Sequence, residues 1–212
     1  MDKTHVKTAI EELKKSSKRN FVQSYDLIIN LKNIVTKTNP VDLFIVLPYT
    51  KGTKAKIAAF VDQQLSAQAE KFCDAIIKET DFIKYSDKKL LRKLAEQYDY
   101  FIAQANLMPK VAATFGKVLG TRGKMPNPKL GCVVPPNANL EVLSKRLSTT
   151  VHVATKKGTN LQCTVGKQDQ SDEEVAENIL SVYHHVLKQV PNETQNIKNV
   201  LIKFSMSKPI KI

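Results

Sequence analysis

The stretch GKVLGTRGKMPNPKLG, residues 116–131, combines glycines with lysine and arginine, which are the residue types that bind phosphate. In a P-loop, backbone amides and a lysine hold the phosphates, so a glycine must precede the Gly-Lys pair by five residues and a hydroxyl must follow it. Around Gly123 and Lys124 those two positions hold Val118 and Met125. The segment is therefore not a P-loop.

A dinucleotide-binding turn is excluded on similar grounds. That motif requires G-x-G-x-x-G between a strand and a helix, because the helix N-terminus binds the pyrophosphate. Gly120 and Gly123 lack the preceding glycine, and Pro126 and Pro128 prevent a helix from beginning there. We therefore predict that the loop does not bind a nucleotide.

Other candidate chemical groups do not form a site in the sequence. The chain has four histidines, none in a zinc-binding H-E-x-x-H or Cys-His spacing, namely His5, His152, His184 and His185. Its three cysteines, at no disulfide or metal spacing, are Cys73, Cys132 and Cys163. This pattern favours buried thiols in a reducing compartment. We predict a protein that is not an enzyme and has no cofactor or metal.

The charge of the chain indicates its class of partner. Its 212 residues include 33 Lys and Arg against 20 Asp and Glu, a net charge of +13 with a pI near 9.6. Such a charge favours a polyanion, either nucleic acid or an acidic membrane surface. A heat-adapted surface would raise Glu together with Lys, which is not seen. The basic excess is spread along the chain, and no apolar run has the length of a membrane span, so we expect a soluble, cytoplasmic protein.

Hydropathy patterns divide the chain into three parts. Near both ends, apolar residues alternate as in half-buried antiparallel strands, at 24–31, 41–47, 150–155, 161–165 and 200–206, and helices are predicted at 2–17 and 171–188. The middle has short continuous apolar runs at 56–61, 74–77 and 99–104, separated by predicted helices at 62–72 and 86–96. That rhythm is typical of a parallel sheet buried on both faces.

The predicted fold class is α/β in a broad sense, with two domains. An outer α+β domain with an antiparallel sheet is formed by both termini, residues 1–52 and 149–212. A Rossmann-like α/β domain, residues 53–148, is inserted in it.

The last predicted strand is a candidate for nucleic-acid contact. The segment NVLIKFSMSKPIKI contains Lys203, and no acid occurs from Gln195 onward. Serine hydroxyls beside Met206 can hydrogen-bond a ribose 2′-OH, and Phe21 can rest on a nucleotide. An ordinary solvated edge strand, and a Phe21 that covers the first helix, are the alternatives.

Several segments, in order and over nearly the whole chain, resemble one known family. They are RNFVQSYDL, VDLFIVLPYTKGTKAKIAAF, YFIAQANLMP, GKVLGTRGKMPNPKLG, VGK and IKFSMSKP. The chain resembles the universal family of large-subunit ribosomal protein one, which forms the mobile stalk beside the tRNA exit site, and its archaeal members most. The resemblance implies an outer domain that binds large-subunit rRNA and an inserted Rossmann-like domain.

The resemblance also implies site residues. Glu11, Phe21 and Ser24 match family residues at the rRNA surface. Ser205, Met206 and Ser207 fall on a Thr-Met-Gly contact, with Ser207 in place of glycine. To these we add basic residues as phosphate contacts, namely Arg19, Lys56, Lys156, Lys167 and Lys203.

The implied partners are the large ribosomal subunit with its stalk rRNA, the exit-site tRNA and, as in many family members, the protein's own messenger RNA. Residues 116–131 match the family's LGPRG-MPNP segment, with Thr121 in place of proline. Its cations Arg122, Lys124 and Lys129 either face RNA or are structural. Two alternatives stay open: a nucleotide-binding enzyme that uses the inserted domain, and a free RNA-binding regulator.

The enzyme alternative predicts a ligand effect that our interpretation does not. We expect neither ATP nor NAD to raise the melting temperature of the purified protein, because the phosphate-binding spacings are absent. Differential scanning fluorimetry at millimolar nucleotide measures this, and a concentration-dependent rise would restore the enzyme. Co-sedimentation with large ribosomal subunits separates a ribosomal protein from a free regulator.

Overall fold

The computed structural model describes residues 2–16, 19–34, 39–155 and 158–212. The chain divides into two compact units. The outer unit comprises residues 1–53 and 149–212, and the inserted unit comprises residues 54–148. Antiparallel sheets with helices occur in the first and a parallel sheet with helices in the second, which confirms the predicted α/β fold class.

The helices and longer strands follow one another along the chain as α1 (Lys3–Ser16), β1 (Ser24–Leu31), β2 (Asp42–Val46), β3 (Ile57–Val61), α2 (Gln63–Phe72), β4 (Ala75–Lys78), α3 (Lys88–Gln97), β5 (Tyr100–Gln104), α4 (Met108–Leu119), β6 (Val133–Val134), α5 (Leu140–Thr149), β7 (Thr150–Ala154), β8 (Asn160–Lys167), α6 (Asp172–Gln189), β9 (Ile197–Phe204) and β10 (Ile210–Lys211). Short 3-10 turns lie at Glu79–Ser86, Ala105–Leu107, Pro128–Leu130 and Glu193–Asn196.

The outer unit contains two sheets. The larger has the strand order β10-β9-β1-β8, with every neighbouring pair antiparallel, and β2 pairs with β7 in a separate two-stranded sheet. Tyr25, Leu27, Ile29 and Leu31 alternate along β1 and are all buried, as their period of two predicts. Their common face belongs to the core that α1 and α6 complete.

Helix α1 packs along α6 through an apolar face and a row of ion pairs. Val6, Ile10 and Leu13 are fully buried, and each contributes about 1.5–3 kcal/mol on burial. Beside them lie three cross-helix pairs, Lys3–Glu177 (2.8 Å), Lys7–Glu173 (2.7 Å) and Lys14–Asp172. Hydrogen bonds from the lysines lower the pKa of both glutamates. The pairs position α1 against α6, although exposed pairs add little stability.

Helices α5 and α6 each begin with a side-chain cap. The Ser171 hydroxyl accepts a hydrogen bond from the backbone N–H of Glu174 at 3.3 Å, where α6 begins. Asn139 Oδ1 accepts from the backbone N–H of Glu141 at 3.0 Å and so caps α5. Such caps satisfy N–H groups that have no partner within the helix.

The inserted unit has a parallel sheet of order β4-β3-β5-β6. All five residues of β3 are buried, as the continuous apolar run predicts. The core beside it is rich in phenylalanine: Phe60 lies 4.7 Å from Phe115 and 5.9 Å from Phe101 and from Phe82, measured between ring centroids. These rings pack α4 and the 3-10 turn at Glu79–Ser86 against the sheet.

Some predicted strands differ in the structure. The last long strand ends at Phe204, so Ser205, Met206 and Ser207 form a turn and a bend rather than strand. The two-residue strands β6 and β10 carry too few residues for a pattern to predict them. The outer unit's strands form two separate antiparallel sheets.

The loop after α4 is tied to the end of α3 by a lysine. The ammonium of Lys124 donates to the backbone carbonyls of Ala95, at 2.8 Å, and Tyr98, at 2.7 Å. A cation there satisfies carbonyls that have no partner within the helix and favours the negative end of its dipole. Gly123 has φ of +66°, a conformation that glycine adopts without strain. Gly123 and Lys124 are therefore structural here.

The described ranges contain neither a candidate membrane span nor a candidate metal cluster. No helix in them is both long and apolar enough to cross a membrane. No group of three or more His, Cys, Asp or Glu residues in them could hold a metal ion.

Replacing Lys124 with methionine tests its role as a helix cap. We expect Lys124→Met to lower the free energy of unfolding of the inserted unit by roughly 1–3 kcal/mol, because two carbonyls lose a charged donor. Chemical unfolding followed by circular dichroism, together with hydrogen exchange of the α3 amides, measures this. Lys117→Met, at an exposed position of α4, is the control, and equal effects would contradict the cap.

Candidate nucleic-acid interface

The candidate site lies at one edge of the larger sheet, where β1 begins and β8 and β9 end. Ser24, the first residue of β1, is opposite Lys167, the last residue of β8. On the other side Tyr25 is opposite Phe204, the last residue of β9, and the backbone N–H of Ser205 donates to the Ser24 carbonyl at 3.2 Å. We call Phe21, Ser24, Lys167, Lys203 and Ser205–Ser207 the sheet-end surface.

Two buried aromatic rings lie beneath this surface. Tyr25 and Phe204 are both fully buried, and their ring centroids are 4.6 Å apart with the planes tilted by 36°. Burial raises the pKa of the Tyr25 phenol above its usual range, so the group stays neutral. The packed rings fix the backbone of the strand ends that bear Ser24 and Ser205.

The turn at Ser205–Ser207 is closed by its own side chains. The Ser207 hydroxyl accepts a hydrogen bond from the backbone N–H of Phe204 at 2.9 Å and donates to the carbonyl of Lys208 at 3.0 Å. The ammonium of Lys203 donates to the Ser205 carbonyl at 3.2 Å. Among the non-glycine residues described, only Asn33 and Glu193 have positive φ. Serine at 207 is thus free of backbone strain, and its hydroxyl stabilises the turn.

Apolar side chains are exposed on and beside the surface. Phe21 is 50% exposed, Val22 54% and Met206 65%. The alternative in which Phe21 covers the first helix predicts a buried ring, and the exposure of Phe21 disfavours it. Exposed apolar groups beside lysines and serines can contact the sugars and bases of RNA while the polar groups bind its phosphates and 2′-hydroxyls.

Gln23 is a residue of this region that the sequence analysis missed. It is 1% exposed, and its Oε1 accepts a hydrogen bond from the backbone N–H of Met206 at 3.4 Å. Its backbone N–H donates to Gln168 Oε1 at 3.4 Å, and its carbonyl accepts from the backbone N–H of Gln168 at 2.9 Å. Gln23 therefore joins the turn at Met206 to the end of β8. The signal was available, because the alternation of β1, continued backwards, places this polar residue on the buried face.

Lys167 is held in place by a glycine and a glutamine. A Cβ on Gly52 would lie 2.9 Å from Lys167 Cγ, and Gly52 has φ of +75°, so both space and conformation require glycine there. The backbone N–H of Lys167 donates to Gln170 Oε1 at 2.8 Å, and Gln170 Nε2 donates to the carbonyl of Thr50 at 2.6 Å. The aliphatic part of Lys167 is thereby packed at the surface.

The other predicted site residues lie elsewhere or outside the description. Glu11 is exposed on α1 and, within the described ranges, forms no ion pair. Arg19 is exposed between α1 and β1. Lys56 is exposed in the inserted unit, where its backbone N–H donates to Asp99 Oδ2 at 3.1 Å. Lys156 lies outside the described residues.

The three thiols and His152 lie in environments that do not suit catalysis. Burial raises the pKa of Cys73 and Cys132 to about 11 and that of Cys163 to about 12, so the thiols stay protonated near neutral pH. His152 is 2.6 Å from Asp42 Oδ1 and stacks on Phe44 at 4.3 Å between ring centroids. This histidine is part of a cross-strand pair on β2 and β7.

Comparisons with a family model and with individual proteins both point to one family of ribosomal proteins. Residues 13–208 match the model of the ribosomal protein L1p/L10e family. The chain is similar to the large ribosomal subunit protein uL1 of Nanoarchaeum equitans, with 37% identity over 96% of this chain and 97% of the relative. The chain is also similar to the proteins of the same name from Methanothermococcus thermolithotrophicus, with 38% identity over 100% of this chain and 99% of the relative, and Methanocaldococcus jannaschii, with 36% identity over 100% of this chain and 96% of the relative.

Replacing Gln23 tests whether it supports the sheet-end surface. We expect Gln23→Ala to lower the free energy of unfolding by about 1–3 kcal/mol, because buried groups lose their partner. We also expect weaker RNA binding, because the Met206 turn loses an anchor. Unfolding and filter-binding assays measure both effects. The control is Gln162→Ala, an exposed glutamine on β8, and a Gln23 variant that matches it in both assays would contradict this role.

Proposed function

The chain belongs to the ribosomal protein L1p/L10e family and is a protein of the large ribosomal subunit, and from this premise we propose that its sheet-end surface binds the rRNA of the mobile stalk. The family is one of ribosomal proteins and not of enzymes. The proposed mechanism is recognition of a folded RNA without covalent chemistry.

The observation that carries the proposal is the meeting of chain segments far apart in sequence at one exposed edge. Ser24 and Ser205 are joined by a backbone hydrogen bond, and Lys167 is opposite Ser24 across the sheet. The edge is built on buried aromatic rings, so its groups are positioned before RNA arrives. Pre-positioned groups lose less conformational entropy on binding.

Each type of group has a separate proposed role. Met206 and Phe21 contact ribose and base faces, because their exposed apolar surfaces are removed from water when RNA covers them. Serine hydroxyls and backbone groups at Ser24 and Ser205 bind 2′-hydroxyls, which distinguish RNA from DNA. Lys167 and Lys203 contribute salt-dependent attraction to phosphates.

The remaining predicted residues extend the proposed surface. Glu11 and Arg19 belong to the outer unit, and their exposure leaves them available to RNA. Lys56 is proposed as a phosphate contact made by the inserted unit. We propose the two units as separate domains, with the outer one the principal binder of rRNA and the inserted one completing the head of the stalk.

Two finer functions are proposed from the family resemblance. We propose that stalk movement assists the release of deacylated tRNA from the exit site of cytoplasmic ribosomes. A stalk-like structure in the protein's own messenger RNA would fit the same groups. Messenger and ribosomal RNA would then compete, so free protein in excess over rRNA would repress its own translation.

Replacing Met206 with aspartate tests the site. We expect Met206→Asp to weaken binding of a large-subunit stalk RNA fragment by about 30-fold, or ~2 kcal/mol, because a central apolar contact becomes a charge facing phosphates. The wild-type protein should keep its preference for this fragment over an unrelated duplex as salt rises. Fluorescence anisotropy over a salt series measures both affinities.

Val142→Asp is the matched control for this substitution. Val142 is 63% exposed, nearly the same as Met206 at 65%, and the change in charge is identical, but Val142 lies in the inserted unit. Similar losses in the two variants would mean that net charge alone governs binding. The sheet-end assignment would then be wrong.

A further inference from the structure

The outer face of helix α3 has a cluster of cations. Lys88, Lys89, Arg92 and Lys93 are all exposed, whereas Leu91, Leu94 and Ala95 on the opposite face are buried in the inserted unit. The helix is held to the core by that apolar face, so it cannot rotate the cations away from solvent. We call these four residues the α3 basic face.

The acids near this cluster are engaged in other contacts. Asp87 is the N-cap of α3, and its Oδ1 accepts from the backbone N–H of Lys89 at 2.9 Å. Glu96 accepts a hydrogen bond from Arg122 at 2.7 Å, which is the main reason that its pKa is lowered, and the charge of Arg92 lowers it further. In the part of the chain that the structure describes, none of the four cations forms an ion pair.

Elsewhere in the inserted unit, lysines pair with acids that are close in sequence, whereas the cations of α3 do not. Lys84 pairs with Asp81, and Lys145 pairs with Glu141 four residues earlier on the same helix. On α3 the corresponding neighbours have like charges, since Lys88 precedes Arg92 and Lys89 precedes Lys93 by one turn. Like charges at this spacing destabilise a helix. A polyanion that bridges them would remove the repulsion.

The composition of the face favours RNA over an acidic protein. Leu90, 45% exposed, is its one exposed large apolar side chain among the described residues of α3, and a protein interface needs an apolar core with few charges. Lysines bind phosphates as point charges, and an arginine such as Arg92 can bind a phosphate through two parallel hydrogen bonds. These groups suit a phosphate backbone.

We propose that the α3 basic face is a second RNA contact of this protein, which binds the phosphate backbone without reading sequence. The inference rests on the proposed function, since it requires the protein to be held on large-subunit RNA by its sheet-end surface. It assigns the inserted unit a direct share in RNA binding, through residues separate from that surface and from Lys56.

A charge-matched pair of double variants of the full chain tests the inference. K89Q/K93Q removes two charges from the α3 basic face, and K71Q/K117Q removes two from exposed lysines elsewhere in the inserted unit. The probe is protein-free large-subunit rRNA in filter-binding assays over a salt series. We expect K89Q/K93Q to weaken binding several-fold and to reduce the slope of log K against log salt by about 1–2. The control should change affinity less than twofold.

Two results would overturn the proposal. Equal losses in the two double variants would indicate a diffuse charge effect. Unchanged RNA affinity in K89Q/K93Q would exclude a phosphate contact, and impaired retention on large subunits in that case would point to a protein partner instead. Met206→Asp, measured in parallel, separates the two hypotheses. If it loses affinity while K89Q/K93Q does not, the proposed function stands and only this inference fails.

Discussion

The position of β1 inside its sheet is the constraint on which the candidate RNA surface depends. β1 pairs with β8 on one side and β9 on the other, both antiparallel, so the start of β1 must lie beside the ends of the other two. Residues more than a hundred positions apart are thereby brought to one edge. The buried alternation of β1 sets this register, because a slip by one residue would turn Tyr25 and Leu27 out of the core.

The structure divides the many cations of this chain into two classes. Lys3, Lys7 and Lys14 pair with acids of α6, and Lys124 binds the carbonyls at the end of α3. These lysines are engaged within the protein and are less available to an external anion. Exposed cations that form no ion pair among the described residues, such as those of α3, keep their attraction for phosphate. Net charge therefore overstates the number of cations available to RNA.

Local patterns predicted most of the fold. The alternating strands and the buried parallel strands depend on neighbours within a few residues, so their patterns can be recognised in the sequence alone. The short strands β6 and β10 depend on a partner strand already in place. The same holds for the end of β9, because β1 stops pairing with it at Phe204.

In the candidate site, too, some features depend on residue type alone and others on tertiary contacts. Residue types alone indicated phosphate and ribose contacts, since lysine, serine and exposed aromatic groups have that chemistry wherever they lie. The role of Gln23 was decided by tertiary structure, because its partner Met206 is 183 residues away in sequence. The sequence likewise left open whether Lys124 binds RNA or stabilises the fold. The structure shows that its ammonium binds a carbonyl at the end of α3. The sequence by itself determined most of the local elements and indicated a polyanionic partner. The tertiary structure decided which polar groups bind the protein itself, because those bonds join segments that only folding brings together.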